Sequence, residues 1–217
     1  MTEIDVQLLE KAEAFARAAL AGDASGHDWW HVARVRMLAR TIAREEGGDS
    51  FVCELAALLH DVADDKIAGD EATGLATVRN WLEMQKAAPD VTDAVMEIIS
   101  TMSFSGGNKP PMRTLEGRVV QDADRLDALG AIGIARAFAF GGSRGRTLYD
   151  PEQPPREYAS KAEYRASESP TINHFYEKLL LLRERMNTPF ARRLAERRHH
   201  VMETYLDEFY AEWSGEC

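Results

Sequence analysis

Apolar residues recur at steps of three and four along most of this chain, and no stretch shows the strict alternation of a half-buried strand. That periodicity commits the chain to helices packed on helices. Ile4, Leu8, Ala12, Phe15 and Ala19 mark a first amphipathic helix, which Gly22 and Gly26 break. Asp28 is a good N-cap for a second helix, whose apolar face reads Val35, Leu38, Ala39 and Ile42. His31 lies four residues before Val35 and so shares that inward face. Gly47-Gly48 ends the second helix, and Asp49-Ser50 caps a third through the apolar run 51–59. A fourth helix is expected over about 71–85, a fifth after Pro89-Asp90, a loop over 105–111 and a sixth helix from near Leu115. The predicted fold class is all-α.

At 217 residues the chain fits one domain with a sizeable core. A helical core over about 1–140 is followed by a polar, proline-containing, arginine-bearing segment over about 141–170. Helices over about 171–213, broken at Pro189, complete the chain. Loops longer than about 12–15 residues are usually functional or disordered, so the 141–170 segment is expected to be a mobile cover. Gly141-Gly142 would be its flexible start, letting Arg144 and Arg146 swing. The helical stretch 183–198 is arginine-rich and reads as a solvated face, with His199-His200 facing water.

A formal charge of −10 argues against tight, sequence-independent nucleic-acid binding. Arg144, Arg146, Arg156 and Lys161 nevertheless cluster in one polar stretch that suits a small phosphorylated ligand. No apolar run reaches the roughly 18–20 residues of a membrane span, and the N-terminus shows no basic-then-apolar signal pattern. The expectation is a soluble, cytoplasmic protein with no membrane partner, and a homodimer is compatible with it. Cys53 fits a reduced core residue, and a bridge to the last residue, Cys217, would constrain little.

The apolar run 51–59 closes on His60-Asp61, a pair that is costly at the inner end of a buried helix unless something compensates it. A divalent metal would do so. His31, and Asp122 or Asp124 from the sixth helix, are available to complete the shell. Two imidazoles and two carboxylates make a mixed N/O site suited to Mn, Mg, Fe, Co, Ni or Zn, and they leave coordination positions open for water and substrate. Periodicity does not choose between Asp122, on a stripe with Val119 and Leu126, and Asp124, on one with Val120 and Ala128.

Three local sequences carry a resemblance: His27-Asp28-Trp29-Trp30-His31-Val32-Ala33-Arg34-Val35, Leu58-Leu59-His60-Asp61-Val62-Ala63-Asp64, and Asp122-Ala123-Asp124-Arg125-Leu126-Asp127. With Thr171-Ile172-Asn173-His174-Phe175, they resemble a bacterial and fungal branch of the HD superfamily of metal-dependent phosphohydrolases. The resemblance implies a compact single-domain helical bundle with His31, His60, Asp61 and Asp124 as metal ligands. Superfamily members that cleave cyclic nucleotides use extra histidines, whereas no histidine occurs here between His60 and His174, so one metal is expected.

Asp64 is similar in position to an acidic residue that assists water attack in alarmone hydrolases, and it is the candidate catalytic group. His174 and Lys178, four residues apart, put a proton donor and a cation on one helix face. His27, Arg125, Arg144 and Arg146 are the other substrate-binding candidates. The expected activity is hydrolysis of a phosphoester or phosphoanhydride, most plausibly in a nucleotide. A catalytically inactive nucleotide sensor is the alternative, and an oxygenase would need further ligands.

Overall fold

The computed structural model describes residues 1–21, 28–63, 70–102, 111–158, 163 and 168–216. Among these residues there are helices and no strands, as the periodicity requires. The chain divides into two units, Met1–Asp124 and Arg125–Cys217, with the boundary inside one helix. His27, Asp64, Lys161 and Cys217 lie outside the described residues.

The first unit contains α1 (Glu3–Ala19), α2 (Trp29–Glu46), α3 (Ser50–Leu59), α4 (Glu71–Met84), α5 (Pro89–Thr101) and most of α6 (Leu115–Asp127). Short polar caps set the starts. Asp28 accepts from the His31 amide, Asp49 from those of Phe51 and Val52, and Asp70 from that of Thr73. Gly47 closes α2 at φ 79°, a left-handed conformation that glycine adopts at little cost.

α3 is the central element. Every residue from Phe51 to Leu59 is buried, and the helix packs against α1, α2 and α5. Leu55, Leu58 and Leu59 are fully enclosed, each worth about 1.5–3 kcal/mol of apolar burial. Cys53 is a core residue, its thiol pushed up by burial and by the Glu116, Asp49 and Glu54 carboxylates. Glu54 is the exception in this apolar helix, at 1% exposure. Arg36 reaches it from α2, with Nε 2.8 Å from the carboxylate, and also donates from Nη1 to Glu13 on α1 at 2.9 Å. The pair ties α3 to both helices that flank it.

Gly74 holds α4 close to the turn that follows α3. A Cβ at this position would lie 2.4 Å from the carbonyl oxygen of Ala63, so only glycine allows the approach. The His60-Asp61 turn is thereby fixed by backbone contact as well as by α3.

The second unit contains the end of α6, α7 (Gly130–Ser143), a π-helical turn (Phe175–Leu179), a 3-10 turn (Leu180–Arg185) and α8 (Pro189–Ser214). It departs from the sequence-based reading in four places. Gly141-Gly142 is the last turn of α7, not a flexible hinge, because Gly141 packs on Thr171, whose Oγ1 would stand 2.1 Å from an added Cβ.

Residues 144–158 are also fastened, not free. The amides of Thr171 and Ile172 donate to the carbonyls of Thr147 and Leu148 at 2.9 and 3.0 Å, and Asn173 Nδ2 donates to the Gln153 carbonyl at 2.8 Å. The helix expected to begin near Thr171 is instead a π turn followed by a 3-10 turn. Finally, the arginine-rich stretch is only partly solvated. His199 is buried on the face of α8 that carries Ala195 and Met202, with Nε2 3.2 Å from Glu203, while Arg198 donates to the Leu126 carbonyl.

No helix among the described residues is long and apolar enough to cross a membrane.

Candidate metal centre

His31 comes from the first turn of α2, His60 and Asp61 from the turn that ends α3, and Asp124 from the last turns of α6. His31 Nε2 lies 3.4 Å from Asp61 Oδ2 and 3.4 Å from Asp124 Oδ1. His60 Nε2 lies 3.2 Å from Asp61 Oδ1 and 4.0 Å from Asp124 Oδ1. His31, His60 and Asp124 can each offer a ligand atom within 4.8 Å of the others. The imidazole rings meet edge to face, with centroids 5.4 Å apart. Each of these residues had been singled out in the sequence.

The chemistry of this donor set fits a cation. His60 Nδ1 lies 2.8 Å from the Ala57 carbonyl, which fixes its proton there and leaves the Nε2 lone pair facing inward. That nitrogen is buried and makes no hydrogen bond among the described residues. An imidazole lone pair set against carboxylate oxygens is repulsive until something positive lies between them. Burial pushes the Asp124 carboxyl up, but its contacts with the His31 and His60 rings, the His31 hydrogen bond foremost, outweigh burial and Asp61 and hold it well below the usual carboxylate range. The cluster is built to stabilise positive charge.

The two candidate carboxylates of α6 separate clearly. Asp122 is completely buried, whereas the Asp124 side chain is 37% exposed and faces both histidines. Asp124→Asn should therefore lose bound metal more completely than Asp122→Asn, and elemental analysis of the two variants measures it. The reverse order would mean that Asp122 is the ligand, and equal loss would mean that exposure does not decide between the two.

Within the second unit, His174 immediately precedes the π turn that carries Lys178. Burial, then the charges of Lys178 and Arg146, lower the His174 pKa from 6.5 to about 3. His174 is therefore a neutral imidazole beside two cations, a cluster suited to an anion. Arg144 and Arg146 both lie near the Phe140 ring, at 5.4 and 5.6 Å. Arg125 donates to the Arg185 carbonyl, a contact that holds the 3-10 turn. Asp127 is buried and pairs with Arg136 at 3.0 Å.

The lowered His174 pKa carries a sign. Between about 3 and 6.5 the unfolded chain takes up a proton that the folded chain refuses, so stability present above 6.5 is lost as pH falls through that window. His174→Gln should flatten this acid-side decline in urea unfolding curves between pH 7 and 5. An unchanged slope would show that His174 is not held neutral.

Sequence reasoning missed Glu177, which lies between His174 and Lys178 and binds residues 156, 158 and 169. Its spacing of four from Asn173 was the available signal, since both hold the same segment.

The family model described as the HD domain matches residues 29–129, the span that holds all four of these histidines and aspartates. The chain belongs to this family. The uncharacterised protein YpgQ of Bacillus subtilis is 38% identical over 213 residues, covering 97% of this chain and 96% of that one. The crystal structure of YpgQ in complex with ADP has a TM-score of 0.78, with 36% identity and 96% of each chain covered. A protein from Lactobacillus plantarum superimposes with a TM-score of 0.87 at 43% identity, covering 99% of both chains. A structure described as an HD-superfamily hydrolase from Bacillus thuringiensis gives 0.76 at 45% identity, covering 97% of this chain and 98% of that one.

Proposed function

We propose that this HD-family hydrolase is a metal-dependent phosphohydrolase that cleaves a phosphoester or phosphoanhydride bond, with a nucleotide as substrate. The observation that carries the reading is the convergence of His31, His60, Asp61 and Asp124 from three helices on one small volume. A divalent cation bound there would supply Lewis acidity toward a phosphoryl oxygen and acidify the attacking water. His60 holds its lone pair inward through Ala57, and Asp61 bridges the two imidazoles. Asp64, four residues past His60, would align the water, and His27, one turn before His31, would meet a phosphate oxygen.

Arg146 and Lys178 supply positive charge, and His174, held neutral, supplies a hydrogen-bonding imidazole for phosphate groups. Arg144 adds an exposed guanidinium next to them in sequence, and Arg125 is the remaining candidate from α6. The ADP bound by YpgQ supports a nucleotide as the ligand class. If the arginines serve phosphate, Arg144→Ala with Arg146→Ala should raise KM about tenfold at unchanged metal content and Tm. Unchanged kinetics in the double variant would remove them from the site.

Product-resolved hydrolysis of a nucleotide panel, with Mn²⁺ and after chelation, tests the reading. Metal-dependent release of phosphate or pyrophosphate supports it. Tight nucleotide binding without turnover would instead make the protein a sensor.

A further inference from the structure

We infer that Glu177 is a positioning residue that sets the anion cluster of Arg146, His174 and Lys178. The inference rests on the phosphate reading of that cluster given above. Glu177 Oε1 accepts three hydrogen bonds: from Ser169 Oγ at 2.9 Å, the Tyr158 hydroxyl at 3.1 Å and the Arg156 amide at 3.3 Å. Bonds to an ionised acceptor are about twice as strong as neutral ones, so this oxygen is a firm anchor. It holds the chain on both sides of 159–167, at points more than ten residues apart in sequence.

Glu177 does not act alone. One turn earlier, buried Asn173 donates to the Gln153 carbonyl at 2.8 Å and to Ser169 Oγ at 3.1 Å. Before that, the Thr171 and Ile172 amides hold the Thr147 and Leu148 carbonyls. Residues 171–177 thus grip residues 147–158 in order, like the teeth of a zipper. Arg146 directly precedes the first tooth, and His174 and Lys178 flank the last two. The zipper therefore fixes the cation supplied by one strand of chain relative to the groups supplied by the other.

Glu177 is the charged tooth, and it sits in a π-helical turn, a geometry that recurs at functional sites. Its carboxylate would oppose an anion bound at the neighbouring Lys178. Engaging Oε1 with three donors on the 156–169 side lets the turn carry that charge while Lys178 serves the anion.

The test uses the full-length protein with ADP as the probe, read by calorimetry, together with amide exchange at Arg156. Glu177→Ala should weaken ADP binding about tenfold and speed exchange at Arg156. Glu177→Gln keeps an acceptor oxygen and should restore affinity to within about threefold. Tyr158→Phe, which removes one donor and leaves the carboxylate, should give an intermediate loss and serves if Glu177→Ala does not fold.

Faster Arg156 exchange with unchanged ADP affinity would overturn the inference, leaving Glu177 a purely structural clasp. Unchanged exchange would overturn it by showing that the clasp does not hold the segment. Lys178→Ala, measured in parallel, separates the two levels. If it leaves ADP affinity unchanged, or if the native protein does not bind ADP, the phosphate reading itself fails and this inference falls with it.

Discussion

His60→Ala protein should keep its helical circular dichroism yet carry almost no divalent metal, and its hydrolytic rate should fall by more than about 100-fold. Changes to groups that merely orient a metal ligand already cost about 10–100-fold in affinity or activity, and His60 offers a donor atom itself. Its Nε2 is buried, aimed at Asp61 and Asp124, and makes no hydrogen bond among the described residues. Removing the ring therefore leaves two carboxylates facing one imidazole with no balanced site between them. Asp61→Ala should behave alike, because its two oxygens contact His31 and His60 separately. Full metal occupancy in either variant would place the site elsewhere.

Arg36→Ala should destabilise the fold by about 3 kcal/mol, the scale expected when one partner of a buried ion pair is removed. Glu54 is 1% exposed, and Arg36 supplies its 2.8 Å contact. The substitution strands a carboxylate in the middle of the central helix and also frees Glu13 from its 2.9 Å contact. Glu54→Gln on the Arg36→Ala background should recover part of the loss by removing the stranded charge. Urea denaturation of the three variants reads this directly. A loss below about 0.5 kcal/mol in Arg36→Ala would mean that the pair behaves as an exposed salt bridge.

Why the metal cluster was legible in the sequence, and the second unit was not, follows from where each kind of information lies. His31 could be assigned inward because Val35 follows it at helical spacing, and His60-Asp61 because an apolar run delivers it. Helix starts were equally local: Asp28 and Asp49 each cap within three residues. Asp122 and Asp124 could not be separated, since both stripes of α6 carry apolar residues and only tertiary packing decides which one meets the histidines.

Glu54 was hidden inside an apolar run because its partner is 18 positions away, on another helix. The 141–170 segment misled more seriously. Polar composition and proline suggested a mobile cover, yet residues 147–158 are held by hydrogen bonds to residues 171–177, a pairing that leaves no periodic trace. His199 shows the converse failure: amid arginines it looked solvated, but its spacing from Ala195 places it on the buried face of α8.

The most direct measurement is a metal titration of chelator-stripped protein, following product release from the best nucleotide substrate. One site made of His31, His60, Asp61 and Asp124 predicts no turnover at zero metal and a rate that rises to saturation at about one equivalent of Mn²⁺ per chain. Turnover by metal-free protein, or saturation only at two equivalents, would contradict that account.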